Sequence, residues 1–184
     1  MTIEIPNQST PAAGPGAATP TFPAETPAPA GAGRVEAIHL AAVAGASMQS
    51  VDRVRAIAGV GLEGDRYATT SGTYSGDERS DRHITLVEAE EIAALATRDG
   101  IELAPGQTRR NLTTRGIRLN ELVGRRFRVG SVECEGTRLC EPCQYLTDTI
   151  GKPILKPLAH RAGLRAVILT GGEIGIGDEV VALD

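Results

Sequence analysis

From Arg34 onward, apolar residues come in short alternating runs separated by glycine, and this rhythm limits the fold more than any other feature of the chain. Val35-Glu36-Ala37-Ile38-His39-Leu40 and Arg126-Phe127-Arg128-Val129 follow the period of two that sends successive side chains to opposite faces of a strand. Phe127 and Val129 are therefore predicted to face inward. Residues 110–114, 131–135, 164–169 and 179–183 read as further short strands, with a glycine-rich turn over 171–178. Helical signals are few. Thr85-Leu86-Val87-Glu88 has the form of a capping box, which predicts a helix from there to about Arg98. Gly100 is its stop, and Leu86, Ala89, Ile92, Ala93 and Ala96 form its buried stripe. Residues 119–123 predict one helical turn, and 144–150 and 154–160 two short helices. Many short strands with few helices imply a mainly β protein, a closed β-barrel with a few short peripheral helices.

A core is within reach, since 41% of the 184 residues are hydrophobic, but aromatics make up only 3%, so that core must be aliphatic. The formal charge of -4 argues against nonspecific nucleic-acid binding, which depends on neutralising phosphates. Residues 1–33 hold seven prolines among Ala, Gly, Thr and Ser, and cannot bury enough apolar surface to offset their ordering entropy. They read as a disordered tail or tether, and residues 34–184 as one domain. The polar, glycine-containing stretch 69–81 reads as an exposed loop. No secretory signal and no membrane-spanning run is visible. An odd number of cysteines fits a reducing, cytoplasmic setting.

Those cysteines, Cys134, Cys140 and Cys143, hold every thiol of the chain within ten residues. Clustered thiols point to metal ligation, sulfur chemistry or redox exchange. Pro142 suits the first position of a helix, which would put Cys143 in the first turn, where unpaired backbone amides favour a thiolate. A thiolate there can attack an electrophilic sulfur or ligate a soft metal. Three readings stand beside this one. Cys143 could be a buried, inert thiol. Cys134, Cys140 and Cys143 could join His160 at a zinc ion, although a second Cys-x-x-Cys knuckle is missing. Cys140 and Cys143 could be a thioredoxin-like pair, although such a pair expects a βαβ setting.

Arginine outnumbers lysine heavily, with Lys152 and Lys156 the only lysines among 19 basic residues. Arginine is the side chain for bidentate binding of phosphate and carboxylate. Arg109-Arg110-Asn111 follows a Pro-Gly turn; an Arg and an Asn pointing into a pocket would clamp a phosphate or a heterocycle edge. The alternative is a solvated strand end. Arg161 and Arg165 flank Gly163, a residue that permits close backbone approach. Arg125, Arg126 and Arg128 read as the wet face of a strand, and His83 as a structural histidine or a base.

Taken in order, Gly61-Leu62-Glu63-Gly64-Asp65-Arg66, Arg82 to Glu90, Arg109-Arg110-Asn111, Leu122 to Gly130, Cys140-Glu141-Pro142-Cys143, Arg161 to Ala166 and Gly177-Asp178 resemble the MOSC domain, the molybdenum-cofactor sulfurase C-terminal domain. The resemblance spans residues 34 to 184 and implies a stand-alone member with a β-barrel fold. It implies molybdenum-cofactor chemistry, with Cys143 as catalytic residue and metal ligand and Cys140 as an accessory thiol. The phosphorylated pterin would sit against Arg109, Arg110, Asn111 and Arg165. One implied function is the molybdenum component of a small reductase of N-hydroxylated compounds, fed by a flavin or iron–sulfur electron donor. Another is a sulfur carrier that accepts a persulfide on Cys143 from a cysteine desulfurase; pyridoxal phosphate would then belong to that partner. A third is a non-catalytic binding module docked through the tail.

Overall fold

The computed structural model describes residues 32–72 and 81–183, so the tail reading for 1–31 and most of the loop reading for 69–81 lie outside the described residues. Ala32 and Gly33, expected to belong to the tail, lie in the first strand. The strands are β1 Ala32–Leu40, β2 Gln49–Val51, β3 Arg53–Ile57, β4 Gly61–Leu62, β5 Ile84–Glu88, β6 Leu112–Arg115, β7 Arg126–Val129, β8 Val132–Leu139, β9 Leu164–Ile168, β10 Gly172–Gly175 and β11 Glu179–Ala182. Two helices, α1 Ala89–Asp99 and α2 Gln144–Ile150, and one 3-10 turn, Leu119–Leu122, complete the described elements.

The main sheet runs β11-β7-β8-β9-β5-β6-β1-β2, and pairing of β11 with β1 closes all but β2 into a barrel. β5 and β6 are parallel; every other paired strand is antiparallel. Closure removes the exposed sheet edges that invite aggregation. β3, β4 and β10 form a separate three-stranded sheet. Phe127 and Val129 do face inward, both at 0% exposure, while Arg125, Arg126 and Arg128 face solvent. The barrel interior is aliphatic apart from Phe127 and Cys134, with Ile38, Ile84, Leu86, Leu112, Leu164 and Ile168 at its centre. A smaller cluster of Leu95, Leu146, Ile154, Leu158 and Ala162 seats α1 and α2 outside the barrel, and Cys143 packs against it.

Four local expectations differ from the structure. The helix begins at Ala89, not in the Thr85–Glu88 motif, because Ile84, Leu86 and Val87 are wanted in the core and all five residues of β5 are buried. The Thr85 hydroxyl goes to Asn111 and the Glu88 carboxylate to the Leu119 amide, so no capping box forms. The buried helix positions are Ala89, Glu91 and Leu95, whereas Ala93 is exposed. Gly100 ends the helix as expected, in the left-handed conformation at φ 66°. Residues 154–160 form successive turns rather than a helix, and β10 lies inside the stretch read as a glycine turn.

Candidate functional site

At one end of the barrel, the segment between β8 and α2 meets the chain before β6 and the turn after β4. The pocket between them has a volume of about 660 Å³, its open mouth included. Cys140 and Cys143 line it together with Arg109, Arg110 and Arg165. Arg66, Arg82, Tyr67, Tyr145, Thr85 and Glu141 complete its polar wall. Five guanidiniums thus face one carboxylate, that of Glu141, in the lining.

Backbone groups hold much of this lining. Arg110 is 8% exposed and donates from Nε to the Ala162 carbonyl (2.8 Å), from Nη1 to Thr108 (3.2 Å) and from Nη2 to Cys140 (2.7 Å). It is a strut as well as a wall, since three of its five N–H groups hold the frame. The Cys140 amide donates to the Gly163 carbonyl at 2.7 Å, so the cysteine segment is pinned from both sides. Gly163 has no substitute here: a Cβ would stand 1.8 Å from the Leu86 carbonyl oxygen. Glu141 ties the same segment to residue 160, accepting from the His160 amide at 2.8 Å and meeting His160 Nδ1 at 2.7 Å.

Arg109 adopts φ 57°, a left-handed conformation that a side-chain-bearing residue rarely takes. Its amide closes a turn on Gly106 at 2.9 Å, and Nη1 donates to the Ala46 carbonyl at 2.8 Å. Burial lowers its proton affinity and the neighbouring Arg66 charge adds to this; Tyr145, Tyr67 and Asp65 oppose both. Arg66 is itself buried, 3.3 Å from Asp65 and with its guanidinium 4.9 Å over the Tyr67 ring. On β9, Arg165 reaches Asp81 at 3.8 Å, while its Nε and Nη1 are buried without a hydrogen-bond partner among the described residues. Asp81 also pairs with Arg138 and Arg82.

Asn111 stands apart from this wall. It is 1% exposed and does not line the pocket. Its Oδ1 accepts from the Thr85 amide (3.1 Å) and hydroxyl (2.8 Å), and its Nδ2 donates to the His39 carbonyl (3.3 Å) and Asp65 Oδ2 (3.1 Å). All four of its hydrogen-bonding places are filled, leaving none for a heterocycle edge. Strand alternation could not have separated it from Arg109, because β6 begins only at Leu112.

The three cysteines form no disulfide among the described residues, and their surroundings differ. Cys134 lies at 0% exposure inside the barrel, where burial pushes its thiol up to about 12. Cys140 is 4% exposed and Cys143 half-buried. Cys143 caps α2 in an extended conformation (φ -138°, ψ 165°) and makes no side-chain cap bond. It therefore precedes the helix instead of sitting in its first turn, and Pro142 lies outside it. Among the described residues no three His, Cys, Asp or Glu side chains come together to hold a metal ion, so Cys134, Cys140, Cys143 and His160 form no zinc centre. His83 is structural in form: its Nδ1 accepts from the Ile168 amide at 3.0 Å.

Sequence reasoning missed Arg66, Arg82, Thr85, Tyr67 and Tyr145 as pocket residues. The tyrosines carried a usable signal, since aromatics are so scarce in this chain.

A small β-barrel with a cysteine opening into an arginine-walled end pocket defines the class. The MOSC domain profile matches residues 41–181, and the chain belongs to that family. Among solved structures it is similar to the YuaD protein from Bacillus subtilis, at 18% identity and a TM-score of 0.69, over 81% of this chain and 94% of that one. It is also similar to YiiM from Geobacillus stearothermophilus (17% identity, TM-score 0.62, 83% and 75% covered). YiiM from Escherichia coli is a further neighbour (18% identity, TM-score 0.60, 82% and 70% covered). At these identities the likeness establishes the fold. A search of curated proteins finds no match. No described helix is long and apolar enough to cross a membrane.

Proposed function

We propose that this protein binds molybdenum cofactor in the end pocket and acts as the molybdenum component of a reductase of N-hydroxylated compounds. One observation carries the reading: Cys143 opens into a pocket lined by five arginines. The residues suit the group. A phosphorylated tail needs cations, and Arg165 has buried N–H groups without a hydrogen-bond partner among the described residues, while Arg109 shares the same lining. A soft metal suits a thiolate, and Cys143 is the most accessible of the three thiols. Bound there, the cofactor would supply the two-electron chemistry that an N–O bond requires. The chain itself would orient the guest through Arg109 and Arg165, hold the cysteine segment through Arg110, and keep Glu141 as the carboxylate at hand for protons.

Electrons would come from a flavin or iron–sulfur partner, because three cysteines do not supply both a cluster and a molybdenum ligand. A reducing, cytoplasmic setting suits three cysteines that form no disulfide among the described residues. Anaerobic loading followed by metal analysis and fluorescence of the oxidised pterin tests the reading. Wild type is expected to retain molybdenum and Cys143→Ala to lose it. Equal molybdenum in both removes Cys143 as the ligand.

The pairing of Cys140 with Cys143 in one pocket favours a second reading, a sulfur carrier served by a pyridoxal-phosphate-dependent cysteine desulfurase. A stable gain of one sulfur on Cys143 after incubation with a desulfurase, with no molybdenum bound, selects it.

A further inference from the structure

The chain has five aromatic residues, two Phe and three Tyr, with no Trp. Phe22 and Tyr74 lie outside the described residues, and Phe127 is sealed in the barrel at 0% exposure. The two that remain, Tyr67 and Tyr145, both line the end pocket. Neither ring belongs to either core cluster. Tyr145 is 36% exposed, whereas the next residue, Leu146, is the one that α2 buries in the smaller core. Tyr67 lies in a turn, with the Arg66 guanidinium over its ring. Both tyrosines are within electrostatic reach of Arg109, whose guanidinium is a third flat group.

We propose that Tyr67 and Tyr145, with Arg66 and Arg109, form a subsite for a planar conjugated ring that carries negative charge or a polarised N–O group. Stacking on an aromatic side chain contributes about 1–3 kcal/mol per ring and tolerates many ring types. Guanidinium planes add stacking of their own and attract an electron-rich partner. The subsite selects ring-bearing guests over small aliphatic ones of the same reactive group. As a statement about substrate it rests on the reductase reading above; as a statement about binding it does not. The same chemistry has two sources, the ring of a substrate or the pterin of the cofactor.

Benzohydroxamate and acetohydroxamate share an N-hydroxy amide and differ in the ring. Each is titrated calorimetrically into cofactor-free protein and into protein loaded with molybdenum cofactor. Benzohydroxamate is expected to bind about tenfold more tightly to the cofactor-free protein, the equivalent of about 1.4 kcal/mol. Tyr145→Leu and Tyr67→Leu should each erase much of that preference without weakening acetohydroxamate. Tyr145→Phe, which keeps the plane and removes only the hydroxyl, should retain it. A preference that persists in the loaded protein assigns the plates to the substrate; one that vanishes on loading assigns them to the pterin. Equal affinities, no binding of either ligand, or a preference surviving the double Leu variant overturns the subsite. The loaded protein is also assayed for reduction of both compounds with a reduced dye. Ring preference without reduction defeats the reductase reading alone, and reduction without ring preference defeats the subsite alone.

Discussion

Arg110 Nη2 donates to the Cys140 carbonyl across 2.7 Å, so a residue before β6 sets the position of the cysteine segment after β8. Arg110→Met keeps the stem and leaves three buried carbonyls without their donor. Loss of a buried partner costs about 1–3 kcal/mol for each group exposed to this fate. A destabilisation of about 3 kcal/mol in urea unfolding is expected, with little recovery in Arg110→Lys, because one ammonium cannot span three carbonyls. A change below about 0.5 kcal/mol, the scatter of ordinary surface substitutions, would show that the strut is dispensable.

Gly163 should be the least replaceable glycine near the site. At φ 109°, and with a Cβ position 1.8 Å from the Leu86 oxygen, Gly163→Ala forces β9 and β5 apart. The expected loss is at least about 3 kcal/mol, or no folded protein. Gly59→Ala is the control. It shares a positive φ of 70° but meets nothing within 4 Å, so about 1 kcal/mol is expected. Similar losses in the two variants would mean that the contact with Leu86 relaxes easily.

Acid should weaken the arginine cluster at Asp81. Burial opposes the Asp81 charge, but the Arg138 hydrogen bond and the charges of Arg138, Arg165 and Arg82 outweigh it and hold the carboxyl below its ordinary range. Glu91 behaves alike: burial opposes its charge, and Arg161 and Arg118 prevail. A carboxyl with a depressed folded value stabilises the fold above its unfolded value and loses that contribution as pH falls through the folded one. Glu88 has the opposite sign. Burial pushes it up, the Leu119 amide and Arg118 offset this only in part, and its contribution falls as pH rises from the unfolded to the folded value. Asp81→Asn is therefore expected to cost about 2 kcal/mol at pH 7, the scale of a hydrogen bond to a charged group. The gap from wild type should close as pH falls below the ordinary carboxylate range. A gap that stays constant with pH contradicts the assignment.

Alkylation should sort the thiols by position. In the native protein iodoacetamide is expected to modify Cys143 first and to leave Cys134 untouched until denaturant is added, since burial holds that thiol up near 12. Mass mapping of the peptides reads the order directly. Early labelling of Cys134 would mean that the barrel opens far more readily than its sealed core implies.

The barrel was legible in the sequence because alternation and glycine spacing act locally, as in Phe127 and Val129. The Thr85–Glu88 motif misled for the opposite reason: its capping signal was real in form, yet burial of Ile84, Leu86 and Val87 in β5 outweighed it. At the site, the sequence pointed to the segment but not to the direction of each side chain. Arg109, Arg110 and Arg165 reach the pocket, whereas Asn111 turns to Thr85 and Asp65, a choice made by long-range partners 26 and 46 residues away. Tyr67 comes from a turn and Tyr145 from α2, and only the closed barrel brings them to one pocket.

X-ray absorption at the molybdenum edge of anaerobically loaded protein reads whether the Cys143 sulfur meets the metal, as proposed. Wild type should show one more sulfur neighbour around molybdenum than Cys143→Ser. The same sulfur count in both proteins, with molybdenum bound in each, would contradict the account.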